Sequence, residues 1–104
     1  MQTYEFVQDA LGDGTRRQVL HLLRDGPKSV GEVAAALPVS RPAVSQHLKV
    51  LKRAGLVVDQ AAGNRRLYRV HPAGLEAVRT YIEGFWDDVL TAFAQYDAQE
   101  RSSP

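Results

Sequence analysis

From Ser40 to Gly55 the sequence carries a full set of helix signals, and the faces of that helix are chemically opposed. Ser40 is a good N-cap, Pro42 falls in the first turn where its missing N–H costs nothing, and Gly55 suits the left-handed position that ends a helix. At roughly 100° per residue, Val44, Leu48 and Leu51 lie within about 60° of one another on the helical wheel. Pro42, Ser45, Gln46, Lys49 and Arg53 lie on the far side. One face must be packed by the rest of the chain, and the other stays polar and basic.

The flanking segments read as its packing partners. Tyr4, Val7 and Leu11 recur at helical spacing and predict a short first helix ending near Gly12. Asp13 can cap a second helix with Arg16, Val19, Leu20 and Leu23 on a 3- to 4-residue period, stopped by Gly26-Pro27. Ser29 can cap a third, with Val30, Val33, Ala34 and Leu37 as its buried stripe, broken by Pro38-Val39. After the Ser40–Arg53 helix, Leu56–Gln60 and Arg66–Val70 read as strands of a β-hairpin about the turn-rich stretch Ala61–Arg65. A long last helix is predicted from about Ala73 to about Gln99. Its seam of Leu75, Val78, Ile82, Phe85, Val89, Phe93 and Tyr96 steps by three and four, and Trp86 and Leu90 widen it beyond what one surface helix needs. That width implies a second partner.

With 104 residues the chain has room for one domain, expected over 1–101, with 102–104 as a frayed tail. It has no cysteine, which excludes disulfides, thiolate metal sites and cysteine nucleophiles. No apolar run reaches the roughly 18 residues of a membrane span, and the first residues lack a secretory pattern, so a cytoplasmic location and no membrane partner are expected. The net charge of +1 hides an uneven distribution. Arg41, Lys49, Lys52, Arg53, Arg65, Arg66 and Arg69 face one acid, Asp59, in the middle of the chain, whereas acids dominate from Glu76 onward.

A short helix, a tight turn and a second helix with a basic outer face make a helix-turn-helix, and a basic-tipped hairpin after it makes a wing. A helix of about 13 residues is roughly 20 Å long and suits a major groove about 12 Å wide. Gln46 can pair with adenine N6 and N7, Arg41 with guanine O6 and N7, and Ser45 can bond to base edges or a phosphate. Lys49, Lys52 and Arg53 suit phosphates, and Ser40 with its neighbouring amides can hold another. Arg65 and Arg66 at the hairpin tip can enter the minor groove or clamp its phosphates. His47, on the flank, serves either packing or a phosphate, while His21 and His71 read as structural or exposed. Nothing resembles a nucleophile and base pair or a glycine-rich phosphate loop, so no enzyme activity and no cofactor are expected.

Three stretches, Leu11–Leu20, Val39–Leu51 and Ala54–Val57, closely resemble the ArsR family of bacterial winged-helix repressors. The wing Gly63–Tyr68 and the aromatic Phe85-Trp86 are similar to a branch of it. The resemblance implies a mainly α fold with a β-hairpin wing, four helices before the hairpin and one after. It also implies a homodimer built on the first and last helices that occludes a promoter until a signal releases it. Tyr4, Val7, Leu11, Ile82, Phe85, Trp86, Val89 and Phe93 are the expected interface. Many members sense metals, but Val30–Leu37 lacks their cysteine pair, and Asp87 and Asp88 lack histidine partners. A metal-free regulator of double-stranded DNA, with its effector unknown, is the expectation. A winged-helix protein-interaction module and a sensor binding a ligand between the last helices are the competing ones.

Overall fold

The computed structural model describes residues 2–102, with side chains from Phe6 to Tyr96. Its elements run α1 (Gln2–Leu11), α2 (Gly14–Leu22), α3 (Val30–Ala36), α4 (Arg41–Arg53), β1 (Val57–Ala62), β2 (Arg65–Val70) and α5 (Pro72–Ser102), with a 3-10 turn at Leu23–Asp25. Short polar side chains start three of the helices by accepting from otherwise orphaned amides. Asp13 Oδ1 accepts from the Arg16 N–H at 2.9 Å, and Ser40 Oγ from the Ala43 N–H at 3.3 Å. Ser29 and Glu32 form a reciprocal capping box, each side chain accepting from the other's amide at 3.2 and 3.1 Å.

The apolar face of α4 lies at the centre of the core. Val44, Leu48 and Leu51 are fully buried, together with Val19 from α2, Val33 from α3 and Leu56 just beyond α4. Burying each such side chain contributes about 1.5–3 kcal/mol, so α4 is anchored far more firmly by its inner face than by its caps. Val7 belongs to this core as well, at 7% exposure. It was expected at an interface, but its side chain is already covered by the chain's own core, which leaves almost none of it for a partner. Leu11 is half-buried against the same core, and the Tyr4 side chain lies outside the described residues.

The hairpin is longer than its hydrophobic pattern suggests. Val57 pairs with Val70 and Ala62 with Arg65, closing on the two-residue loop Gly63-Asn64. Gly63 takes φ 64° while Asn64 has no positive φ, the pattern of a type II′ turn, so Ala61, Ala62 and Arg65 join strands rather than a wide loop. On its other edge β2 is held to the segment before α3, where Lys28 and Tyr68 exchange both backbone hydrogen bonds at 2.9 and 2.8 Å.

A tight joint links the end of α4 to the start of α5. Gly55, at φ 79°, closes α4 in a Schellman motif: its N–H donates to the Lys52 carbonyl and the Leu56 N–H donates to that of Leu51, each at 3.0 Å. The His71 N–H then donates to the Leu56 carbonyl at 2.9 Å, and His71 Nδ1 lies 3.2 Å from the Gly55 carbonyl oxygen, which accepts from the Nδ1–H tautomer. Gly74 packs so closely that a Cβ there would run into the Gly55 carbonyl.

After its first turns, where Val78 packs against the core, α5 leaves the body of the molecule. At about 1.5 Å per residue its 31 residues span about 46 Å, and the molecule measures 71 × 26 × 25 Å. The helix enters the expected tail by one residue, Ser102, and residues 103–104 lie outside the described chain. Ile82, Phe85, Trp86, Leu90 and Phe93 are 46–68% exposed along it, with Val89 half-buried.

Gly74→Ala is expected to lower the unfolding free energy by about 2 kcal/mol or more, because backbone must move to admit the methyl. Gly84→Ala on the same helix, where the methyl meets nothing within 4 Å, is expected to raise it by up to about 1 kcal/mol. Urea unfolding of the two variants checks the contrast; equal midpoints would remove the joint as a structural constraint.

Candidate nucleic-acid interface

Packing of Val44, Leu48 and Leu51 inward fixes which way the rest of α4 points. Ser45, Gln46, Lys49 and Arg53 are exposed on its outer side, on one continuous face as the sequence predicts. Ser40 is exposed too, but its hydroxyl is already engaged as the α4 cap. Arg41 turns toward α3: its Nη2 lies 3.0 Å from where a Cβ on Gly31 would stand. The glycine in the first turn of α3 leaves room for the arginine, which a larger residue would push outward by a few tenths of an ångström. His47 is half-buried and its Nδ1 is buried, so that nitrogen is turned away from solvent.

Lys52, Arg65 and Arg66 form ion pairs that composition did not reveal. Lys52 Nζ lies 2.7 Å from Asp59 Oδ1 and Arg66 Nη1 lies 2.8 Å from Asp59 Oδ2. The Asp59 side chain is only 8% exposed, whereas those of its two partners are 55% exposed. At the hairpin tip Arg65 Nη1 stands 3.4 Å from Glu32 Oε1, an exposed pair of the kind that contributes little to stability. Three of the expected phosphate contacts are therefore paired in the free protein. One signal was present in the sequence: Asp59 is the lone acid among seven cations, and a lone acid in such company seldom goes unpaired.

Three carboxylates are held below the usual range, each for a nameable reason. For Asp59 the hydrogen bond from Lys52 leads, and with Arg66 it outweighs the opposing effect of burial. For Glu32 the Ser29 amide and hydroxyl lead, with Arg65 assisting. For Asp13 the Arg16 amide leads, with a smaller attraction from His47. Among the described residues no three His, Asp or Glu side chains come together as a metal-binding group, and no helix is long and apolar enough to cross a membrane.

A helix-turn-helix with a polar, basic outer face, followed by a hairpin edged with arginines, defines a winged helix-turn-helix protein of the DNA-reading class. The chain belongs to the ArsR family of bacterial regulatory proteins, whose family model matches residues 13–58. It is 59% identical over 98 residues to the HTH-type transcriptional regulator Rv2034 of Mycobacterium tuberculosis, covering 91% of this chain and 92% of that protein. It is 34% identical over 70 residues to the transcriptional repressor SdpR of Bacillus subtilis, covering 67% of this chain and 78% of that one. Among solved structures it resembles the homodimeric winged helix-turn-helix DNA-binding domain Mb0332 of Mycobacterium bovis, at a TM-score of 0.68 and 29% identity over 84% of this chain and 81% of that chain. The protein is thus an ArsR-family transcriptional regulator.

Because the Asp59 carboxyl is held below its ordinary range on folding, its contribution to stability is complete above that range and is lost as pH falls through the folded value. The urea midpoint of the wild type is expected to exceed that of Asp59→Asn near neutral pH, with the gap closing below about pH 4. A gap that stays constant with pH would remove the ion pairs as its cause.

Proposed function

We propose that this regulator is a repressor that binds an inverted-repeat operator as a homodimer, in the cytoplasm and without catalysing a reaction. One observation carries the reading: in the single chain the outer face of α4 is polar and basic, while the far half of α5 leaves an apolar stripe of Phe85, Trp86, Leu90 and Phe93 more than half exposed. Ser45 and Gln46 are assigned to base edges, with Arg41 beside them once it leaves Gly31. Ser40, Lys49, Lys52 and Arg53 are assigned to phosphates, and Arg65 and Arg66 to the neighbouring minor groove or its phosphates. His47 supports the helix from its flank.

Pairing through α5 gives the stripe its cover. Ile82, Phe85, Trp86, Val89 and Phe93 are assigned to that interface, with Leu11 and Tyr4 of α1 at its edge. Phe85 and Trp86 already make an edge contact, with ring centroids 6.2 Å apart and planes at 73°, and together they offer a broad aromatic surface. Two-fold pairing would present two α4 helices to half-sites about one helical turn apart. The homodimeric relative and the repressor among the relatives support this reading.

Purified protein is expected to prefer its own upstream DNA over a scrambled duplex, with affinity falling steeply as salt rises. An affinity blind to both sequence and salt would sink the proposal. Gln46→Ala is expected to relax preference at one base position by about 1–3 kcal/mol per half-site, whereas Arg65→Ala should weaken all sequences alike. Phe85→Glu together with Phe93→Glu should yield monomers in sedimentation and lower operator affinity by about 100-fold or more.

A further inference from the structure

The cations on the DNA side of the fold are not electrostatically equivalent. Among the described residues Lys49 and Arg53 make no ion pair, while Lys52 and Arg66 share one carboxylate. Both oxygens of Asp59 are used, one for each cation, at 2.7 and 2.8 Å. Three elements meet there: Lys52 comes from the last turn of α4, Asp59 from β1 opposite Tyr68, and Arg66 from β2 opposite Ala61. The carboxylate is nearly enclosed and its partners are more than half exposed, so two cationic groups face solvent with one anion behind them.

We propose that Asp59 is a specificity-determining residue of the DNA interface: it braces Lys52 against Arg66, which sets the wing relative to α4, and it cancels part of their charge toward phosphates. The inference rests on the DNA-reading role given above. Binding to random sequence is essentially a count of neutralised phosphates, each contributing about 0.9 to the slope of log affinity against log salt. A carboxylate within 3 Å of two cations removes roughly one charge from that count on every sequence. The brace, by contrast, benefits only a site whose groove spacing fits the fixed angle between α4 and hairpin. Charge is lost on all DNA and geometry is gained on one, so the ratio between them rises.

The exposed Arg65–Glu32 pair provides an internal comparison. Both of its side chains are at least half exposed and stand 3.4 Å apart, so that link can open to a phosphate at little cost. The Asp59 unit instead holds two cations on one mostly covered carboxylate, so a phosphate must break into a shared link rather than a single exposed one. Its low proton affinity on folding agrees with a carboxylate that stays ionised and engaged near neutral pH.

The test is Asp59→Asn, which keeps shape and removes charge, measured by fluorescence anisotropy across a salt series. The probes are a duplex footprinted in the protein's own upstream region and a scrambled duplex of the same composition. The variant is expected to bind the scrambled duplex about threefold more tightly at low salt and to steepen its salt slope by about 0.9, with the specific-to-scrambled ratio falling. An unchanged slope and ratio, or an equal weakening on both duplexes, would overturn the proposal. If the asparagine variant fails to fold, Asp59→Thr, which is also uncharged and is suited to a strand, is measured in the same way, and an unchanged slope and ratio there overturn the proposal. A wild type that ignores its upstream DNA would refute the DNA-reading role itself, whereas a selective wild type with a silent Asp59→Asn refutes only the role of Asp59.

Discussion

Everything on the reading side of this protein depends on the burial of three side chains. Val44, Leu48 and Leu51 have no exposed surface, and their enclosure by Val19, Val33 and Leu56 fixes the rotation of α4 about its own axis. Rotation is the variable that matters, because one residue's worth, about 100°, would turn Gln46 and Lys49 from the outer face to the flank. No hydrogen bond to the outer face could supply the same constraint without occupying the groups that must stay available. A solvated polar surface on α4 is thus held in place from behind by packing, and Ser45, Gln46, Lys49 and Arg53 stay exposed on it.

The parts of the structure that the sequence made legible are those decided within one turn of helix. Asp13, Ser29 and Ser40 cap where their spacing implies, and Gly55 ends α4 in the left-handed conformation. Strand limits were less legible, since Ala61 and Ala62 carry no pattern of their own and pair only because a two-residue turn at Gly63 brings Arg65 opposite. Val7 marks a different limit. Helical spacing identifies an apolar face but not what covers it, and the same period serves a core residue at 7% exposure and a face such as Phe93 at 68%.

Charge was the least legible feature, for a geometric reason. Arg65 and Glu32 are separated by 33 residues, and Asp59 meets Lys52 only because the hairpin folds back beside the end of α4. A count of cations between Arg41 and Arg69 suggests a uniformly basic surface; the fold divides it into paired and unpaired groups. The distinction alters the expected electrostatics more than the single unit of net charge does, because screening within about 10 Å leaves local pairing dominant over the total.

The two halves of the molecule are joined through backbone as well as through side chains such as Val78, which packs against the core. Gly55 ends α4 and Gly74 lies in the first turns of α5, and their contact is close enough to exclude even a methyl group. His71 adds a main-chain bond to Leu56 and a ring contact to the Gly55 carbonyl, so the start of α5 is tied at several points to the C-terminal end of α4. Side-chain packing could absorb a small rotation of α5 by changing rotamers, but a backbone contact between two glycines has no such slack. Any shift of α5 relative to the core must therefore be felt at the end of α4. In a pair joined along α5, the angle at which two subunits meet would in this way be passed directly to the spacing of their two reading helices.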